Sequence, residues 1–144
     1  MSDSEHFRKL ERMYALAPIN EFFKPTLRIS EAAAEVEADV DPRFFHAADA
    51  VHGSVYFKML DDAAFFAANS LVQDVFVLTA SFTVYLTRPV SEGIITSKGT
   101  VVNRSKRLLL AEAQLFDARG REIGRGSGSF MKSEIPLTPD IGYA

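Results

Sequence analysis

The sequence predicts an α+β fold in which a curved antiparallel β-sheet wraps around one long central helix, with an extra helix at the N-terminus. Three observations point there. One helical run, Ser54 to Ser70, is apolar on nearly every side: from Val55 through Ala68 the only charged residues are Lys58, Asp61 and Asp62, so protein must enclose it. After this run the hydrophobic period changes to two and stays there to Lys132. The strands so implied succeed one another through short turns, which joins them antiparallel, and the isolated helix is what they have to cover.

In chain order, Ser4 to Ala17 is an amphipathic helix with Phe7, Leu10, Tyr14 and Ala17 on its apolar side, ended by Pro18 and Asn20. Leu27 to Val40 alternates in its second half, Ala34, Val36, Ala38 and Val40 against Glu35, Glu37 and Asp39, which reads as a half-buried strand with a hairpin near Ser30-Glu31. A loop over residues 41–53 leads into the central helix. The next strand places Phe76, Leu78, Ala80, Phe82, Val84 and Leu86 on an apolar face, and Thr79, Ser81, Thr83, Tyr85 and Thr87 on a polar one. Pro89 and Gly93 break the chain before a strand from Ile94 to Val102. A turn at Asn103-Arg104-Ser105 leads to Arg107 to Phe116, and Asp117-Ala118-Arg119-Gly120 turns into Glu122 to Lys132. Gly124, Gly126 and Gly128 alternate in this last strand. Glycine weakens a strand unless something approaches its face closely, and the bulky helix is the expected occupant.

A chain of 144 residues with 47% hydrophobic and 24% charged residues forms one domain with a full core. Asp and Glu outnumber Lys and Arg 19 to 16, so no global charge attracts nucleic acid or an anionic membrane. The absence of cysteine excludes disulfides, thiolate metal sites and a cysteine nucleophile. The opening residues carry no apolar signal segment and no apolar run reaches the ~18 residues of a membrane helix, so a cytoplasmic protein is expected.

The chemistry-bearing stretch is the start of the central helix. His52-Gly53-Ser54 opens it, and the adjacent Asp61 and Asp62 sit two turns in, about 12 Å from its N-terminus. A buried ionised carboxylate costs several kcal/mol unless paired, hydrogen-bonded or placed at the mouth of a pocket. Asp62 lies four residues from Lys58 and is its expected partner; Asp61, three from Lys58, is either a second solvated or paired carboxylate or a reactive one. His46 and His52, six apart with no third ligand, do not make a zinc site, and no metal is expected. His6 is expected on the surface. Arg104, Lys106 and Arg107 suit phosphate groups, although a charged hairpin turn is most often simply solvated.

These residues resemble the PaaI-type acyl-CoA thioesterases of the hotdog superfamily, over residues 25 to 133. That family has a His-Gly-Gly turn, an Asp nine residues after the His, and a strand of the form Thr-x-x-Φ-x-Φ-x-Φ-x-Arg-Pro, Φ being apolar. Here the turn is His52-Gly53-Ser54, the Asp is Asp61, and the strand runs from Thr79 to Arg88-Pro89. Two positions depart: Ser54 replaces the second Gly, and His46 stands where relatives often carry an Asn that polarises the thioester carbonyl. A neutral imidazole can donate one hydrogen bond, as an amide does. The resemblance implies an acyl-CoA or aryl-CoA substrate, no cofactor, and an oxyanion held by the Gly53 amide. It makes Asp61 the base or the nucleophile and Thr79 a hydroxyl that orients water, places His52 in the catalytic site as a turn-stabilising or pocket-wall residue or a general acid, and directs Arg104, Lys106 and Arg107 toward coenzyme A. Because Asp61 cannot reach the N-terminus of its own helix, it implies a homodimer or homotetramer with sites shared between subunits. A hydratase or dehydratase, or a non-catalytic acyl-CoA-binding module, are the other activities this fold would house.

Overall fold

The computed structural model describes all 144 residues, as α1 (Asp3–Leu16), α2 (Asn20–Phe23), β1 (Thr26–Ser30), β2 (Ala33–Asp39), α3 (Gly53–Asn69), β3 (Val75–Leu86), β4 (Ile94–Arg104), β5 (Leu108–Phe116) and β6 (Glu122–Pro136). Single 3-10 turns lie at Pro42–Phe44 and Pro139–Ile141. The strands form one antiparallel sheet in the order β1-β2-β4-β5-β6-β3, curved around α3. This is the hotdog fold. Small inner-face residues on the sheet, such as Ala111 and Ala113, leave room for Met59, Leu60, Ala63 and Ala64 of the helix, all fully enclosed. Burying each of the larger side chains stabilises by roughly 1.5–3 kcal/mol. No helix is long and apolar enough to cross a membrane.

The two ends of the chain are tied to the far end of α3. Ser2 and Glu5 form a reciprocal capping box that starts α1. One turn on, His6 is completely buried, correcting the expectation of a surface residue. Its Nε2 faces the Asn69 carbonyl at 2.9 Å and must donate, so Nδ1 accepts from Tyr143 Oη at 2.7 Å. Burial holds His6 below its ordinary pKa and keeps it neutral. Asn69 in turn accepts from the Val77 amide and donates to the Val72 and Val75 carbonyls, fixing the end of α3 to β3. α1 also closes one sheet edge: Arg8 donates to the Ile29 carbonyl at 2.8 Å, and Glu11 accepts from the Ile29 amide at 2.8 Å. The opposite edge, β3, has a strand on one side only.

Two local readings change. The alternation expected along β3 is broken by a bulge between Thr79 and Ser81. An extra residue there reverses the facing of every residue beyond it. Val77 and Thr79 point inward before it and Phe82 and Val84 after it, while Leu78 is left exposed. The glycines of β6 also divide: a Cβ on Gly124 would lie 3.3 Å from the Tyr56 ring of α3, but those on Gly126 and Gly128 would strike the Phe82 ring and the β3 backbone. The close seat of the helix is Gly99 on β4, where a Cβ would overlap the backbone C and O of Ala63. Gly99→Ala must therefore push α3 off the sheet. We expect a loss of at least about 1–3 kcal/mol, read as a lower urea midpoint at unchanged m-value. An unchanged midpoint would mean that α3 is free to shift.

Candidate active site

The sheet covers α3 on all but one stripe. Phe57, Lys58, Asp61, Asp62 and Phe65, at helical spacing, stay only partly covered. The stripe from Lys58 onward opens into a cavity of about 890 Å³. Its apolar walls are Met13, Leu16 and Ile19 from the N-terminal segment, Phe65 and Phe76 from the core side, and Ile141 from the C-terminal turn. The polar groups facing this space include Asp61, Asp62, Lys58, Tyr14 and Thr79.

Asp61 and Thr79, eighteen residues apart, are brought together here. Thr79 Oγ1 donates to Asp61 Oδ1 at 2.9 Å, made possible by the bulge that turns Thr79 inward. Burial pushes the Asp61 carboxyl up to about 6; Asp62 adds to this, and the Thr79 hydroxyl and Lys58 oppose it. A carboxylate poised close to neutrality and facing an apolar cavity is suited to taking a proton from water. Asp62 is in a different state. Lys58 Nζ lies 2.7 Å from its Oδ2, the pairing expected from their spacing, and Tyr14 Oη donates to the same oxygen at 2.6 Å.

The other end of α3 holds the remaining helix residues singled out from sequence. His52 is the N-cap: its Nδ1 accepts from the Ser54 amide at 3.0 Å and also lies 2.9 Å from Ser54 Oγ. The geometry is that of a turn-stabilising residue, with the proton on Nε2. Gly53 occupies the first helical position, and its amide makes no hydrogen bond within the chain. It sits at the positive end of a helix of 17 residues. Neither Gly53 nor His52 lines the cavity that holds Asp61, and nor does His46. His46 lies in an exposed tight loop bridged at Phe45 and Val51, its Nδ1 accepting from the Ala48 amide. Within one chain, then, the structure unites Asp61 with Thr79 and keeps them apart from His46, His52 and Gly53.

The basic hairpin forms a third region. Arg104 and Lys106 line a pocket of about 360 Å³ beside Leu71 and Val72, just past the end of α3. Lys132, not singled out from sequence, joins them there, while Arg107 meets it only through its carbonyl, which accepts from the Lys132 amide. None of these four cations has a carboxylate partner. Sequence reasoning also missed Tyr14, read simply as part of an apolar helix face. The one signal for it was its hydroxyl, which needs a partner once buried.

A model of the thioesterase superfamily matches residues 49–123, just over half of the chain. Among solved structures, the PaaI protein from the phenylacetic acid degradation operon of Escherichia coli superposes with a TM-score of 0.85 at 17% identity, covering 94% of this chain and 99% of that one. A thioesterase of Haemophilus influenzae superposes with a TM-score of 0.76 at 14% identity, covering 83% and 85%. A mutant thioesterase of Pseudomonas aeruginosa does so at 0.78 and 11%, covering 90% and 94%. At such identities the likeness is one of fold. No curated protein sequence matches significantly.

Proposed function

Since the chain belongs to the thioesterase superfamily, we propose that it hydrolyses an acyl- or aryl-CoA thioester to the free acid and coenzyme A. The observation that carries this reading is Asp61, half-buried, hydrogen-bonded by Thr79 and facing a large apolar cavity, with its carboxyl held at about 6. The cavity receives the acyl group. Asp61 then acts in one of two ways. As base, it takes a proton from water as the water oxygen bonds to the carbonyl carbon, after which the C–S bond breaks and the thiolate leaves with a proton. As nucleophile, its oxygen bonds to that carbon as the C–S bond breaks and the thiolate leaves; water then cleaves the mixed anhydride to the free acid and the restored Asp61 carboxylate, its remaining proton going to the thiolate. In both routes negative charge builds on the carbonyl oxygen, and an unpaired helix-terminal amide such as that of Gly53 stabilises it. The cations Arg104, Lys106 and Arg107, with Lys132, are the proposed partners of the coenzyme A phosphates.

A second subunit supplies that amide. The free edge of β3 runs from Thr79, beside Asp61, to Leu86, whose Cδ1 lies 3.0 Å from where a Gly53 Cβ would be. A copy pairing antiparallel on this edge about Phe82-Thr83 sets Thr79 opposite the partner's Leu86, and so Asp61 toward the partner's Gly53. The large apolar side chains left exposed nearby, Phe57, Tyr85 and Leu86, fit a covered face. Light scattering at micromolar concentration should return a dimer or larger; a fully active monomer would contradict the shared site. The activity itself is tested with a panel of aryl-, short-, medium- and long-chain acyl-CoAs, monitored by release of free thiol. Tight coenzyme A binding without thiol release, or dehydration of a 3-hydroxyacyl thioester in its place, would overturn the hydrolase reading.

A further inference from the structure

Two carboxylates face the same cavity, and only one of them is compensated. Tyr14 Oη and Lys58 Nζ both converge on Asp62 Oδ2, whereas Asp61 receives a single hydrogen bond, from the neutral Thr79 hydroxyl. The Lys58 ammonium also lies 5.3 Å from the centre of the Tyr14 ring and 5.2 Å from that of Phe23. Its side chain is 13% exposed and that of Asp62 17%. An ordinary ion pair on a helix surface is solvated and recruits nothing from other elements. This one is roofed by α1 and α2, which supply the tyrosine hydroxyl and the two aromatic faces.

Building on the thioesterase reading, we propose that Lys58 and Tyr14 are positioning residues. They hold Asp62 as a fixed, compensated carboxylate, so that Asp61 alone is the free carboxylate presented to the thioester. Two adjacent uncompensated carboxylates in an apolar cavity would not both stay ionised, and the one that took up a proton would be useless as base or nucleophile. The groups facing Asp61 are few. Its own helix brings Lys58 and Asp62, and β3 brings only the neutral Thr79. α1 brings Tyr14, whose hydroxyl burial and Asp62 keep far above its ordinary range and therefore neutral. The C-terminal turn brings the exposed Asp140, and no histidine lines the cavity. At Asp61, Lys58 acts downward and Asp62 upward, on top of the larger upward push of burial. The two neighbours offset each other, so removing either one exposes the other.

The test is the pH dependence of kcat/KM for thiol release in four variants beside the parent. In Lys58→Met the acidic limb should move up by about one pH unit; in Asp62→Asn it should move down. The double variant should return toward the parent, and Tyr14→Phe, which frees Asp62 to turn toward Asp61, should move it up by less. A purely structural role lowers the plateau without moving the limb in opposite directions. Titrating the Asp61 carboxyl by 13C NMR in the same variants reads the same shifts without turnover. Hydrolysis with an unmoved limb, or a limb moving the same way in both single variants, would overturn the inference. If no acyl-CoA is hydrolysed but the carboxyl titration shifts in opposite directions as expected, the thioesterase reading falls and the compensation of Asp62 stands.

Discussion

Asp61→Asn is expected to lower kcat by roughly 10²–10⁴-fold while the protein keeps its fold and its affinity for acyl-CoA. The amide has the shape of the carboxyl and still accepts from Thr79, but has no basic or nucleophilic oxygen. The fold should even gain. The carboxyl of Asp61 is held at about 6, above its ordinary 3.8, by burial first of all. A raised acid binds its proton more tightly in the folded state, so between those two values stability from this group falls as pH rises and stays lost above them. A neutral Asn removes that cost, and the melting temperature at pH 7 should rise rather than drop. Loss of activity joined to a gain in stability marks a group kept for chemistry. In the parent protein, kcat/KM should decline as pH falls through about 6, because the proposed working form is ionised. Asp62→Asn should cost far less at pH 8, since the next residue along points about 100° away around the helix and is already engaged by Lys58 and Tyr14. Wild-type rates for the Asp61 variant, with the Asp62 variant dead, would assign the chemistry to the other carboxylate. Full activity in both would remove carboxylate chemistry altogether.

The parts legible in the sequence are those set by periodicity and spacing. The all-round apolar run gave α3 to within a residue at each end, and period-two patterning with turn residues gave the hairpins. The four-residue spacing of Lys58 and Asp62 gave their ion pair. What stayed hidden depends on one-residue irregularities or on distant partners. A bulge at Ala80 has no side-chain signature, yet it turns Thr79 toward Asp61 and leaves Leu78 exposed. Of the three alternating glycines in β6 only Gly124 faces α3, and the closest approach to the helix is made by Gly99 in β4, because which strand lies under the helix is a matter of topology. The cavity is hardest of all to foresee. Its outer wall comes from Met13 to Asn20 and from Ile135 to Gly142, the two ends of the chain, joined through the buried His6 and Tyr143. Asp61 could be singled out as a charge on an apolar helix. Tyr14, 47 residues before it, could not be placed above it by any local pattern.

Gly53→Pro is the second large effect expected, a fall in kcat of about 10²–10³-fold from loss of the proposed oxyanion donor. Proline is the substitution that isolates the N–H. Gly53 is the first residue of α3, where proline is favoured and a missing amide hydrogen breaks no helical bond. His52 before it has φ −63° and ψ 145°, the extended conformation that a proline in the next position requires. The only atom within 4 Å of a Cβ added there, Leu86 Cδ1, is the tip of a side chain that can turn aside. Gly53→Ala fills the same space but keeps the amide, and should keep far more activity. If each site combines Asp61 of one chain with Gly53 of another, the two dead variants should rescue each other. Co-refolding equal amounts of Asp61→Asn and Gly53→Pro places an intact Asp61 against an intact Gly53 in about one quarter of all sites, whether the assembly is a dimer or a tetramer. Activity should then climb from near zero toward about a quarter of that of the parent protein. A mixture that stays as inactive as its components, with subunit exchange confirmed by a size-tagged chain, would rule out the shared site.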